Sequence, residues 1–188
     1  MPFSGRHRAP DAAPLSTDQA RELCLRLLAG RARSRSELAE RLAVAGAEEL
    51  TAEQVLERLT EVGLVDDAAY AAGLARSRRA ERGLSRRALA GELRRRGLAE
   101  EVVAGAVDAA AAEPDAAVAL RLAQRRARGL SHLPPDAQRR RLSGYLARRG
   151  YGFDVVGPVC AEVLAGLGGS DQLDLAVQHS AEHGPEPA

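Results

Sequence analysis

The stretch Gly83-Leu84-Ser85-Arg86-Arg87-Ala88-Leu89-Ala90-Gly91-Glu92-Leu93-Arg94-Arg95-Arg96-Gly97 contains a helix together with its start and stop signals. Ser85 predicts the start, because its side-chain oxygen can accept hydrogen bonds from the free amides of a first helical turn. Gly97 predicts the end, because glycine adopts the left-handed conformation at a helix C-terminus with little strain. Leu89 and Leu93 are four residues apart and therefore share one face of this helix.

The face opposite these leucines is basic. At about 100° per residue, Arg87, Gly91, Arg94 and Arg95 lie away from Leu89 and Leu93. The helix is thus predicted to turn leucine toward its own fold and arginine outward. For a single helix, solvated arginines are the ordinary interpretation, so the case for a binding surface depends on recurrence of the pattern.

The frame Leu-x3-Leu-x3-Gly occurs three times in the chain. Its copies are Leu38-Leu42-Gly46, Leu89-Leu93-Gly97 and Leu142-Leu146-Gly150, at intervals of 51 and 53 residues. Val102-Val103 and Val155-Val156 follow the second and third copies at the same offset. A period near 50 residues made of short helices is typical of a tandem array of small helical units.

The chain is therefore predicted to be all-α, an elongated array of three tandem three-helix repeats with about nine helices and disordered termini. Ser16-x-x-Gln19, Ser34-x-x-Glu37 and Thr51-x-x-Gln54 each have the spacing of a capping box and predict the first three helix starts. The expected domains are a disordered segment 1–15, repeats at 16–65, 66–112 and 113–166, and a disordered acidic tail 167–188. Small-angle scattering would test the extended shape.

Charge is distributed unevenly over the 188 residues. All 27 basic residues are arginine. Residues 1–75 hold 9 arginines against 12 acidic residues, residues 76–149 hold 18 against 8, and residues 150–188 hold 6 acidic residues and no arginine. A basic middle between acidic ends indicates a polyanionic or acidic partner. The low aromatic content, 3%, argues against single-strand stacking platforms.

The sequence offers no convincing catalytic or metal site. His179-Ser180-Ala181-Glu182-His183 fits a zinc-peptidase pattern, but it lies five residues from the C-terminus among glycine and proline, with no third ligand nearby. Asp66-Asp67 is better explained by helix capping than by paired catalytic carboxylates. Two cysteines form no disulfide framework, and no signal peptide or membrane span is evident. We expect a cytoplasmic monomer that is not an enzyme and has no cofactor.

The arginines remain as candidate binding residues, because the second and third repeats carry them at matching positions. Arg86 matches Arg139, Arg87 matches Arg140, Arg95 matches Arg148 and Arg96 matches Arg149, whereas the first repeat has Arg35, Ser36, Val44 and Ala45 there. A second basic line follows the first helix of each later repeat. The predicted partner-binding residues are Arg76, Arg79, Arg82, Arg86, Arg87, Arg94, Arg95, Arg125, Arg126, Arg139, Arg140, Arg148 and Arg149. We expect Arg87, Arg94, Arg95, Arg140 and Arg148 to be exposed and the frame leucines to be buried.

Several segments resemble those of the RecX regulatory proteins. Gly63-Leu64-Val65-Asp66-Asp67-Ala68-Ala69-Tyr70-Ala71 is similar to the family's G-L-[IL]-[DN]-D-x-x-[FY]-A segment. The stretch from Gly83 to Gly97, with Glu92 and Leu93, resembles its G-x-x-x-[IL]-x-x-E-L-x-x-[KR]-G segment, and Leu146-Ala147-Arg148-Arg149-Gly150-Tyr151 resembles L-x-R-[KR]-G-[FY]. Arg33-Ser34-Arg35-Ser36-Glu37-Leu38 resembles the N-terminal segment loosely. The resemblance covers about residues 17–166.

This resemblance implies a regulator that binds the RecA recombinase in the groove of the RecA–DNA filament and limits its recombinase, ATPase and coprotease activities in DNA repair and the SOS response. It also implies weak binding to DNA, single- or double-stranded. From the charges alone, the alternative is a sequence-neutral DNA-binding protein that acts through phosphate contacts. The acidic, histidine-bearing tail and the arginine-poor first repeat depart from the pattern of the family.

Overall fold

The computed structural model describes residues 13–166, and nine helices without any strand form the regular structure of that range. The helices are α1 (Thr17–Gly30), α2 (Arg35–Ala45), α3 (Glu49–Glu61), α4 (Asp67–Arg82), α5 (Arg86–Arg94), α6 (Glu100–Ala110), α7 (Asp115–Ala127), α8 (Pro135–Ala147) and α9 (residues 153–166). They form three groups in chain order, α1–α3, α4–α6 and α7–α9, and the all-α prediction is confirmed.

Two of the three predicted capping boxes are present. Ser16 and Gln19 cap α1 reciprocally, and Ser34 and Glu37 do the same for α2. The third prediction is wrong, because Thr51 lies inside α3. That helix begins two residues earlier, after Glu48, whose side chain makes no capping hydrogen bond. The spacing of a capping box also occurs within helices, so the spacing alone did not locate this start.

The leucine frame supplies the core, as predicted. Leu38 and Leu42 are fully buried in the first group, where they pack with Cys24 of α1 and Leu56 of α3. Burial of aliphatic side chains between short helices is the dominant stabilising contribution in such a group.

The later copies of the frame behave in the same way. Leu89 and Leu93 of α5 are buried, and Leu142 and Leu146 of α8 lie in a core formed with α7 and α9. Both cysteines are free thiols, and Cys24 and Cys160 are each buried in such a core. Burial also raises the pKa of the Cys24 thiol.

Packing divides the described chain into two compact units, and the division does not follow the three groups. One unit contains residues 13–76 and 90–109, and the other contains residues 77–89 and 110–166. The boundaries pass through α4 and α5, so the second group contributes helical segments to each unit. Between residues 13 and 166, no helix combines the length and the apolar character that crossing a bilayer requires.

Candidate partner-binding surface

Four arginines at matched positions are exposed, as the sequence predicted. Arg87 and Arg95 belong to the second group, and Arg140 and Arg148 are their counterparts in the third. Within the described residues none of the four has a carboxylate or carbonyl partner for its guanidinium. We call these four side chains the matched arginines. Their hydrogen-bond donors are available to an external partner.

A glycine one turn earlier shapes the surface beside Arg95 and Arg148. A Cβ atom built on Gly91 would lie 3.4 Å from Nη1 of Arg95, and one built on Gly144 would lie 3.3 Å from Nη1 of Arg148. Each guanidinium therefore lies back along its own helix, over a position without a side chain. The sequence pair Gly-x3-Arg thus has the same geometry in both groups.

Two other predicted arginines are exposed and have partners within the protein. Arg94 pairs with Glu100, its Nε donating over 2.8 Å, and this ion pair lowers the pKa of the glutamate. Arg76 donates to its own helix, from Nε to the carbonyl of Ala72. The remaining predicted residues with exposed side chains are Arg82, Arg86, Arg125, Arg126 and Arg139.

Arg79 does not lie on the exposed surface. Its side chain is only 9% exposed and forms an ion pair with Asp115, with 2.6 Å between Nη1 and Oδ1. The guanidinium also donates to the carbonyl oxygens of Leu84 and Glu113, at 2.7 and 3.0 Å. Arg79 therefore joins α4 to the start of α7, and its position within the basic line did not indicate this structural role.

Arg149 is also held within the protein. Its Nε donates to the carbonyl of Arg82 over 2.9 Å, and its guanidinium lies 3.7 Å from the centre of the Tyr145 ring. The matching residue Arg96 makes an ion pair with Glu92 at 3.6 Å, four residues earlier, where the third group has Tyr145. Arg96 and Arg149 thus stack or pair within the fold, in contrast to the matched arginines.

Each group joins the next by the same backbone contacts. Asp67 accepts from the backbone N–H of Arg35 at 2.8 Å, and Asp115 accepts from that of Arg86 at 3.1 Å. In both cases a carboxylate at the start of one group's first helix satisfies a free amide at the start of the preceding group's second helix. Asp66 caps its own helix, α4, through the N–H of Ala69. Capping therefore accounts for both aspartates.

At each contact between successive groups, which we call a joint, a glycine also lies close to the start of the preceding group's second helix. Gly97 has φ +71°, and a Cβ atom there would lie 2.1 Å from Oγ and 2.4 Å from Cβ of Ser36. Gly150, with φ +89°, would meet Ser85 and Ala88 in the same way. Side chains larger than hydrogen do not fit at either glycine without displacement of the neighbouring helix start.

The tyrosines of the motifs are structural as well. Tyr70 donates to Oε2 of Glu37 at 3.2 Å and accepts from Arg96 at 2.6 Å. Burial favours a raised pKa for the Glu37 carboxyl, but hydrogen bonds from Ser34 and Arg31 hold that pKa below its usual value. Tyr151 is buried and donates to the carbonyl of Gly83 over 3.0 Å.

The described surface carries exposed guanidinium groups that can bind an anionic partner. Among residues 13–166, no group of three His, Cys, Asp or Glu side chains could hold a metal ion. The pattern His179-x-x-Glu182-His183 lies outside the residues that the structure describes. Exposed guanidinium groups recognise phosphates and carboxylates through charge-assisted hydrogen bonds.

Comparison with protein families gives three matches in order along the chain. Residues 20–59 match the first three-helix domain of RecX, residues 66–107 match the second and residues 113–159 match the third.

Curated relatives match over most of the chain. The regulatory protein RecX of Mycobacterium ulcerans is 45% identical over 155 residues, which cover 82% of this chain and 88% of the relative. The regulatory protein RecX of Thermobifida fusca is 43% identical over 150 residues, with coverage of 78% and 81%. That of Streptomyces coelicolor is 45% identical over 134 residues and 71% of each chain.

Solved structures share the fold. The crystal structure of RecX from Lactobacillus salivarius aligns with a TM-score of 0.68 at 17% identity, over 78% of this chain and 96% of that one. A crystal structure of a regulatory protein RecX aligns with a TM-score of 0.66 at 23% identity, over 76% of this chain and 72% of the other. At these identities the likeness supports the helical fold alone.

Proposed function

Because this chain belongs to the RecX family of regulatory proteins, we propose that it binds the RecA recombinase and the RecA–DNA filament and inhibits RecA. In this proposal it is a regulator without catalytic activity of its own. It limits the recombinase, ATPase and coprotease activities of RecA during DNA repair and the SOS response, in the cytoplasm.

The observation that carries the proposal is the exposure of the matched arginines in two successive groups. A RecA–DNA filament repeats along its axis and presents phosphates and protein carboxylates. Two similar basic contacts on one molecule raise the overall affinity above that of either contact, provided that both can be reached together. Arg79, Arg96 and Arg149 are bonded within the fold. The matched arginines have no such partner among the described residues, so their guanidinium groups can contact the filament.

The test reverses charge at one matched pair, Arg87→Glu with Arg140→Glu. We expect the double variant to lose inhibition of RecA's ATPase and of strand exchange, and each single variant to lose it in part. The matched control reverses Arg26 and Arg41, two exposed arginines of the first group, and should inhibit like the unmodified protein. All variants should keep their helical circular dichroism, because these side chains lie outside the core.

The alternative function is sequence-neutral DNA binding, and the free guanidinium groups favour it to the extent that they suit phosphates. An assay without RecA separates the two functions. If the double variant loses DNA binding yet still inhibits RecA fully, the matched arginines serve DNA binding and the regulatory proposal for this surface fails.

A further inference from the structure

The first group has an apolar groove between α1 and α3. One wall is the row Thr17, Arg21 and Leu25 of α1, and the other is the row Gln54, Arg58 and Val62. In each row the residues are four apart, so they share one helix face. The groove has a volume of about 410 Å³, a size typical of a site for a few apolar side chains.

Three large apolar side chains at the groove are exposed. Leu25, Val62 and Leu64 are 36%, 50% and 52% exposed, and they are three of the six exposed large apolar side chains of the described chain. None of the three belongs to the core of the first group, which closes around Cys24, Leu56 and their neighbours without them. Exposed apolar side chains gathered in one place, rather than scattered singly, mark an interaction site.

The charge at the groove is positive within an otherwise acidic region. Arg21 and Arg58 stand on opposite walls, and no carboxylate is among the residues that line the groove. Arg58 pairs with Glu61 outside the groove, at 2.9 Å, and both side chains of that pair are well exposed, so this ion pair is weak in water. An occupant would therefore meet aliphatic side chains flanked by two guanidinium groups.

We propose that this groove docks an acidic segment that carries leucine-type side chains and is presented by the protein component of the RecA filament. The proposal rests on the proposed function. It gives the arginine-poor first group a task that differs from that of the later groups. The first group contacts protein through apolar side chains flanked by two arginines, whereas the matched arginines make charge contacts alone. A helix laid into a groove between two helices is a common form of such recognition, with apolar anchors three or four residues apart.

The test introduces negative charge at the groove with the double variant Leu25→Glu and Leu64→Glu. The matched control places the same charges on the same group, by Val44→Glu with Leu50→Glu, where the side chains are 83% and 70% exposed and lie away from the groove. Binding to RecA filaments and to bare DNA is measured for each full-length protein. The groove variant should lose about tenfold or more in filament affinity and keep its DNA affinity, and the control should keep both.

A second variant, Arg21→Glu with Arg58→Glu, tests the acidic character of the occupant. It leaves the apolar side chains in place and should also weaken filament binding. If it binds filaments normally, the occupant is not acidic and the proposal is overturned.

The remaining outcomes are separable. If the unmodified protein binds no RecA, the proposed function fails, and this proposal fails with it. If the unmodified protein binds and the groove variant binds equally well, only the groove proposal fails. If ultracentrifugation shows that the unmodified protein self-associates and that the groove variant does not, the occupant is a second copy of this chain, which also overturns the proposal.

Discussion

Gly97 and Gly63 have the same backbone conformation but different surroundings. Both have φ +71°, yet a Cβ atom on Gly63 would find nothing within 4 Å, whereas one on Gly97 would collide with Ser36. The Cβ of Ser36 is fixed to the backbone of α2, so rotation of the serine hydroxyl cannot relieve the collision. Alanine substitutions at Gly63 and Gly97 can therefore distinguish the energetic cost of a left-handed backbone from the cost of a steric clash at a joint.

We expect Gly63→Ala to lower the free energy of unfolding by about 1 kcal/mol, the strain of one left-handed non-glycine residue. Gly97→Ala should cost about 3 kcal/mol, because overpacking adds to that strain. Urea denaturation measures both. Adding Ser36→Gly to Gly97→Ala should recover part of the loss, since coupled neighbours are not additive. Equal costs for the two alanine variants would show that the joint relaxes freely.

We expect the protein to lose stability at alkaline pH because Tyr151 is buried. Burial raises its pKa to about 12 from the ordinary 10.0. Because the folded-state pKa lies above the unfolded value, the contribution of the neutral phenol is complete below pH 10 and is lost as the pH rises through 12. The free energy of unfolding should fall by about 2–3 kcal/mol over that interval.

Tyr151→Phe is the control for this prediction. It should cost about 1 kcal/mol at neutral pH, since the Gly83 carbonyl loses its donor. It should also remove most of the decrease between pH 10 and 12, as followed by denaturation at several pH values. A variant with an unchanged alkaline profile would show that other groups cause the decrease.

At the scale of the helices, two arginines of one basic pattern have opposite roles. Arg79→Ala should lower the free energy of unfolding by about 3 kcal/mol, because it leaves the Asp115 carboxylate without its ion-pair partner in a largely buried place. Arg95→Ala, at an exposed position, should change stability by less than about 0.5 kcal/mol and weaken binding to RecA–DNA filaments. Thermal denaturation and a filament-binding assay distinguish the two.

If Arg95→Ala unfolds the protein, that arginine is structural and the division between core and binding face is wrong. If Arg79→Ala leaves stability unchanged, the contact between α4 and the start of α7 carries little of the fold.

These contrasts show what the sequence could predict and why. Spacing of three and four residues predicts which face of a helix is apolar, and it correctly assigned Leu93 to the core and Arg95 to the surface. This spacing carries no information about contacts with residues that are distant in the sequence. Arg79 meets Asp115, 36 residues later, and Asp67 satisfies an amide of α2 rather than of its own helix.

The groove escaped prediction for a related reason. Leu25 lies in α1 and Val62 directly follows α3. Both helices also have complete core faces, so in the sequence each residue looks like one more aliphatic side chain. Only the packing of α1 against α3 shows that the core closes without them. The family segments, by contrast, were recognisable because their glycines, aspartates and tyrosines meet fixed requirements of backbone geometry and hydrogen bonding at the joints.

At the scale of the whole molecule, the distribution of charge separates two kinds of contact. The arginine-rich residues 76–149 hold all four matched arginines, and the first group holds the groove. Charge contacts weaken as salt rises, whereas apolar burial is much less sensitive to salt. Salt dependence should therefore report mainly on the matched arginines, and on the groove only through the charges of Arg21 and Arg58.

We expect the logarithm of the DNA affinity, measured without RecA, to fall linearly with the logarithm of salt concentration, with a slope of about −0.9 for each phosphate neutralised. If Arg87 and Arg140 each neutralise one phosphate, their reversal to glutamate should reduce the magnitude of that slope by about two. The control reversal of Arg26 and Arg41 should leave the slope unchanged.

Repeating the titration with RecA filaments then shows which partner the two arginines contact. A slope reduced only in the presence of RecA places the two arginines against RecA carboxylates, and an equal reduction with bare DNA places them on phosphates. An unchanged slope in both titrations would show that neither arginine forms a charge contact with the filament.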